Sequence, residues 1–411
     1  MLRKNVVYFG LLQGAEYLAP FLAIPIMART LGTAEYGKIA LTQAILAYFI
    51  LTVEFGFNYT ATRDAARSSD DNRKLQLLFG EIFGAKLILF VLTSIAAILL
   101  TIFLHKTLGI LLLIAQLSAL ANVFSPIWLL QGIERVGPAA LISSSIKFSA
   151  LGIVFIISKT DPRIESFAAV IFGFNLLSSI ALLIYTHRRY KITSLKFSPR
   201  KSFKRLTREK SAFFSSAASS FYRSSNSIIL GMTASMGSVG IYSICEKVVR
   251  VAQELNRPIA MATYPRLSSK LDKNTNCFQL AIFRRTFFAF LLIGAGSSAS
   301  LFLFADKIFI FLTGSISDEA LLSLKIMSAA PLIASINLIL GVQVMHSINQ
   351  SSQFAKMVFA AGIFSFFLIG PMSYFFFATG AAITYIASEL LLLVQLAAFH
   401  NRRRAAYEKT T

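Results

Sequence analysis

Residues 31–44 read LGTAEYGKIALTQA, and residues 234–247 read ASMGSVGIYSICEK. The first contains most of a phosphate-binding loop: Gly32, four residues, then Gly37 and Lys38. Such a loop needs a short strand before it, a helix after it, and a hydroxyl next to the lysine to hold magnesium. Ile39 occupies the hydroxyl position, and a long apolar run, YFGLLQGAEYLAPFLAIPIMARTL (8–31), stands in place of the strand. The two stretches align instead with each other, Gly37 falling on Gly240 203 residues later. Each reads as a short turn entering a new apolar helix, with glycines that take φ > 0 at little cost. The match predicts a parallel duplication of one helical plan, an arrangement common in transporters. Chance similarity over so short a window is the alternative.

Composition sets the class. Hydrophobic residues make up 55% of the 411, charged residues 14%, and the mean hydropathy is +0.66. Soluble domains carry about 25% charged residues, so the chain reads as a polytopic membrane protein. Its net charge of +21 suggests nucleic acid at first sight. That reading needs a basic face on a soluble fold or a recognised module, and the sequence offers neither. Cys245 and Cys277 are too few for a disulfide framework. The four His have no metal-ligand spacing. The start MLRKN leads into an apolar run without a cleavage signal and reads as an uncleaved first helix.

A spanning helix needs about 20 mainly apolar residues. Twelve stretches qualify: 5–28, 38–62, 79–104, 108–130, 138–158, 164–187, 210–233, 239–262, 283–305, 320–346, 354–376 and 379–400. Of the 40 Lys and Arg, 27 fall in alternate segments that include both termini, and seven fall on the other side. The bias toward positive inner segments places both termini in the cytoplasm. The most basic segment follows span six. It predicts an N-terminal six-helix lobe (1–187), a basic cytoplasmic linker (188–209) and a C-terminal six-helix lobe (210–411). The expected fold is an all-α integral membrane protein of about twelve helices in two lobes.

Charges inside spans are costly and face a cavity or a partner. Here they gather at the start of each half. Span one holds Gln13 and Glu16, with Pro20 and Pro25 able to bend or break it. Span two holds Gln43, Glu54 and Asn58, with Arg63 and Asp64 at its inner end. Span seven carries eight serines, Asn226 and a central Arg223. Span eight carries Glu246, Arg250, Glu254 and Arg257 along one helix face. The same spacing also lets those four neutralise one another, and serines in membrane helices often serve close packing. Arginine meets phosphate oxygens bidentately, while Asn and Gln suit sugar hydroxyls. Arg223, Arg250, Lys147, Gln13 and Asn226 are therefore candidate substrate contacts. A carboxyl in low dielectric exchanges protons near neutral pH, which makes Glu16, Glu54 and Glu389 candidates for ion coupling.

Several stretches carry a family resemblance: PIMARTLGTAEYGKIALTQA (25–44), EFGFNYTATRDAAR (54–67), PIWLLQGIERV (126–136), RPIAMATYPRLSS (257–269) and GVQVMHSINQ (341–350). With them the chain resembles the Wzx-type O-antigen and polysaccharide flippases, in the superfamily that also holds multidrug and toxin exporters. The resemblance implies a MATE-like, V-shaped fold with alternating access. It implies transfer of an undecaprenyl-pyrophosphate-linked oligosaccharide from the inner to the outer leaflet of the bacterial inner membrane. Polymerase and chain-length components of the same pathway are the implied partners. No enzyme activity, cofactor, metal or nucleic acid is expected. Arg29 and Arg63 join the substrate candidates, and Asp64 the coupling candidates, because they lie inside matched motifs. The competing readings are a drug or cation antiporter of the same fold and a membrane polymerase or glycosyltransferase. The antiporter would favour acids over arginines. The transferase would usually need a D-x-D or metal site outside the bilayer, and the sequence has none.

Overall fold

The computed structural model describes residues 2–191, 198–269, 271 and 280–408, with side chains over 18–191, 198–210, 213, 225–269, 271 and 280–403. Among them are helices and turns, and no strand. The first seven helices are α1 (Leu2–Glu54), α2 (Phe57–Ala66), α3 (Asn72–Phe103), α4 (Lys106–Phe124), α5 (Ile127–Gly132), α6 (Val136–Thr160) and α7 (Ile164–Tyr190). Next come α8 (Pro199–Thr233), α9 (Met236–Glu254), α10 (Arg257–Ser268), α11 (Ala281–Leu303), α12 (Ala305–Thr313), α13 (Asp318–Met327) and α14 (Ala330–Asn337). A π-helical stretch (Leu338–Met345) and α15 (Ser351–Glu408) complete the chain.

Eight helical segments among the described residues are long and apolar enough to cross a membrane. Two of them, Leu18–Ala66 and Ser351–Arg403, are 49 and 53 residues long. At 1.5 Å per residue each has the length of two passes through a core about 30 Å thick. The first is broken at Gly32 (φ 81°, ψ 167°) and again at Phe55 and Gly56, the second at Phe377 (φ 52°, ψ −130°). Pro20 and Pro25 lie in continuous helix instead. Only Gly32 of the opening motif turns the chain. Gly37 and Gly240 are buried inside helices, where their small size serves packing. Ser235, 203 residues after Gly32, is the N-cap of α9 and accepts from the Ser238 amide at 3.1 Å. The two helix starts therefore keep the register of the aligned sequences. Helix α9 is not among the eight segments, because its charges lower its hydropathy, and the centre of α8 lies outside the residues whose side chains are described.

The turn at Phe377 is tight. Glu319 reaches across to accept from the Ala378 amide at 2.8 Å, which caps the helix that restarts there. A Cβ on Gly380 would lie 1.9 Å from the Met372 carbonyl oxygen, so glycine is required for the two arms to close.

The chain divides into two compact units, 1–224 and 225–411, with the boundary inside α8. The basic stretch 188–209 is helical at both ends. His187, Arg188 and Arg189 close α7, where cations favour a helix C-terminus, and α8 has begun by Pro199. In the first unit, Phe57, Ala61 and Ala65 repeat every four residues and face Phe79, Trp128 and Leu206 in one core. Gly132 lets α5 meet α2. A Cβ there would sit 2.6 Å from the Ala65 Cβ and 2.7 Å from the Thr62 oxygen. In the second unit, Leu267, Phe283, Phe290, Leu340, Met345 and Leu396 form the corresponding core. Outside these cores α3, α6 and α15 present large apolar side chains outward, among them Ile98, Phe103, Phe155 and Phe367. Such surfaces suit hydrocarbon rather than water.

Candidate functional site

In the second unit the polar side chains of α9 form one stripe. Tyr242, Glu246, Arg250 and Gln253 follow at spacings of four, four and three, so they share a face. Each has a partner on that face or opposite it. Asn226 of α8 donates to the Tyr242 hydroxyl at 3.4 Å, and its own carbonyl accepts from Ser365 at 3.0 Å. Arg250 Nη2 donates to Glu246. Gln253 Nε2 donates to the Tyr385 hydroxyl at 3.1 Å. One turn beyond Tyr385, Glu389 accepts from Asn337 Nδ2 at 2.8 Å. Tyr385 lies within electrostatic reach of Glu389, Glu246 and Arg250. The result is a continuous polar track across α8, α9, α14 and α15.

Exposure decides what this track can do. The Arg250 side chain is 39% exposed and that of Glu246 is 14%. The Glu246 side chain is thus mostly covered while that of Arg250 is partly exposed. A partly exposed arginine beside hydroxyls and amides suits an anionic, hydroxyl-rich ligand. Glu254 pairs with Arg257 at 3.0 Å. The four charges that the sequence lines along one face therefore do pair among themselves, as Glu246–Arg250 and Glu254–Arg257.

The first unit places its charges differently. Lys86 of α3 is 2% exposed. Its ammonium donates to the Asn122 carbonyl at 3.0 Å, and Glu54 lies within its electrostatic reach. Lys147 is half-buried on α6 and Arg29 is exposed just before the Gly32 break. Asp64 anchors a cluster. It accepts from Arg205 at 2.6 Å, from Arg208 at 3.0 Å and from Arg63 at 3.4 Å. Glu209 joins through Arg205 at 3.3 Å and Arg208 at 3.0 Å. The structure thus brings Arg63 and Asp64 together and adds Arg205, Arg208 and Glu209, which the sequence reading used only for topology. Their spacing of three and four on a helix was the available signal. Tyr385 was also missed as a site-forming group, since nothing local marks its partner. Gln13, Glu16 and Arg223 fall outside the residues whose side chains are described. Among the described residues no three His, Cys, Asp or Glu gather as metal ligands.

Residues 2–270 match a family model described as polysaccharide biosynthesis protein. A protein of Escherichia coli (strain K12) named "Putative O-antigen transporter" is 33% identical over 398 residues, 95% of this chain and 94% of that one. One of the same name from Shigella dysenteriae is 24% identical over 400 residues, 96% and 98% of the two chains. Among solved structures, an inward-facing multidrug resistance MATE family transporter of the MOP superfamily aligns with a TM-score of 0.72 at 14% identity, over 99% of each chain. Lipid II flippase MurJ, in an inward closed conformation, aligns with a TM-score of 0.74 at 12% identity, over 94% of this chain and 86% of that one. At such identities the two structures establish a shared fold.

Proposed function

The chain belongs to the polysaccharide biosynthesis protein family, and from that premise we propose that it is a flippase for a lipid-linked polysaccharide repeat unit. Its substrate is an undecaprenyl-pyrophosphate-linked O-antigen unit, carried by alternating access from the inner to the outer leaflet of the bacterial inner membrane. Both termini lie in the cytoplasm, as the Lys and Arg bias supports. A pyrophosphate with sugars cannot cross hydrocarbon unaided, because buried charge needs partners. The relatives named as O-antigen transporters support this reading over the antiporter and the transferase.

The observation that carries the mechanism is the half-open Arg250 resting on a covered Glu246. A pyrophosphate oxygen takes the guanidinium from Glu246. The pair re-forms on release. Glu389, on the same track, is the candidate for ion coupling, and Asn226 and Gln253 serve sugar hydroxyls. Arg223 remains a candidate on sequence grounds, central in the serine-rich part of α8, as do Gln13 and Glu16 on α1. In the first unit Arg29 and Lys147 are further substrate contacts, Arg63 and Asp64 act through their ion pair, and Glu54 is a candidate for ion coupling near Lys86.

The test is a deletion strain carrying the wild-type gene or none. The expected result is lipid-linked repeat units accumulating on the cytoplasmic face, with surface glycan lost. Repeat units that still reach the periplasmic face, but stay unpolymerised, would transfer the assignment to a polymerase.

A further inference from the structure

A second polar site lies in the same unit, lined by residues that the Arg250 track does not use. It is a pocket of 720 Å³ between the start and the end of α15. Asn349 takes a left-handed φ of 59° and turns the chain into the helix. The Gln350 amide bonds to the Met345 carbonyl at 2.8 Å, and the Gln350 carbonyl accepts from the amides of Gln353 and Phe354 at 3.1 Å. Gln350 is thereby fixed at the pocket rim, beside the N-terminal turn of the first arm of α15. The positive end of a helix dipole favours an anion at such a place.

The rest of the lining agrees with that sign. Gln395, Phe399, Arg402 and Arg403 follow at helical spacing, so two guanidinium groups and an amide face one space. Among the described residues the lining holds no acid. Gln353 adds a third amide, and Met357 and Phe399 supply an apolar wall. We propose that this pocket binds a phosphate group, with Arg402 and Arg403 holding its oxygens and the glutamines donating to those that remain. Arginine forks match phosphate geometry, and the apolar wall accommodates the glycerol and first methylenes of a phospholipid. The shared chemistry is the phosphate. Its source is an anionic lipid headgroup or a phosphate free in solution. The inference does not depend on the transported substrate.

The experiment uses the full-length protein purified in a neutral detergent. Its melting temperature is followed against added phosphatidylglycerol, phosphatidylcholine or inorganic phosphate. We expect a saturable rise with phosphatidylglycerol and little with phosphatidylcholine. In the Arg402→Gln/Arg403→Gln double variant the apparent affinity should fall by about tenfold or more, as expected for loss of charge-assisted hydrogen bonds. An arginine-dependent rise with inorganic phosphate alone would assign the site to a soluble ligand. Gln395→Glu places a carboxylate in the pocket without losing volume, and should weaken binding even if the double variant folds poorly. Arg200→Gln/Lys201→Gln removes the same charge elsewhere and should bind as wild type. Equal rises with both lipids, undiminished binding in both pocket variants, or an equal loss in the Arg200/Lys201 control would overturn the proposal.

Discussion

Lys86 and Arg250 each stand near a carboxylate of their own unit, but under different exposure. Lys86 is sealed at 2% and its ammonium is spent on the Asn122 carbonyl. Arg250 keeps 39% of its side chain open while bonded to Glu246. The first arrangement fixes α3 to α4 and leaves no edge for a ligand. The second pairs a covered acid with a reachable base, so the bond can be exchanged for another anion. A cation on an apolar helix is therefore evidence of function only when its partner leaves part of it accessible.

Arg250→Ala tests that contrast most severely. Surface glycan should fall to the level of the deletion strain while the membrane-protein level stays unchanged. Arg250→Lys should retain part of the export, because a point charge loses bidentate geometry. Normal export by Arg250→Ala would end the proposed role of the track.

Lys86→Ala should show the opposite pattern. It strips the cation near Glu54 and opens a cavity, at a cost of about 3 kcal/mol. The readout is protein abundance and melting temperature, with export per molecule preserved. Lys86→Met fills the space and should recover most of the loss. Impaired export per molecule in Lys86→Met would erase the difference between the two units.

The two aligned helix starts give a milder test. Gly32→Ala should destabilise by about 2 kcal/mol, since φ 81°, ψ 167° is a glycine region. A new Cβ there meets nothing within 4 Å, so the cost is purely conformational. Ser235 adopts ordinary extended geometry and only loses a cap, so Ser235→Ala should cost about 1 kcal/mol. Thermal unfolding of both variants distinguishes them.

The smallest expected effect lies in the loop after α6. Hydrogen bonds from Arg163 and Ser166 hold the Asp161 carboxyl down at about 2. A depressed carboxyl contributes stability that is present above its unfolded pKa of about 4 and lost as pH falls through the folded value. Stability from this group should therefore be flat from pH 5 to 8, and Asp161→Asn should leave the shape of the melting profile over that range unchanged. A change in melting temperature within that window that disappears in Asp161→Asn would contradict this.

Much of the fold was legible because apolar length and charge placement act locally. Helix-long apolar runs, short turns and the Glu246–Arg250 spacing are all read within a few residues. The breaks were less so. In EFGFN (54–58), Phe55 and Gly56 turn left-handed at φ 46° and 77°, and Phe55 stacks on Phe213 with ring centroids 4.6 Å apart. A partner so distant in sequence leaves no local trace. Asp64 with Arg205, Gln253 with Tyr385 and Asn337 with Glu389 were hidden for the same reason. The stripe on α9 could be drawn from sequence, but not the side on which it would stay open.

The turn at Phe377 bears on how the protein is made. A single non-helical residue, capped by Glu319 and closed over Gly380, leaves no slack between two apolar arms. Arms joined so closely suit entry into the bilayer as one hairpin, with Glu319, synthesised earlier, available to receive the Ala378 amide. An epitope inserted after Phe377 should therefore lower the amount of protein in the membrane more than the same epitope in the loop at Asp161–Arg163.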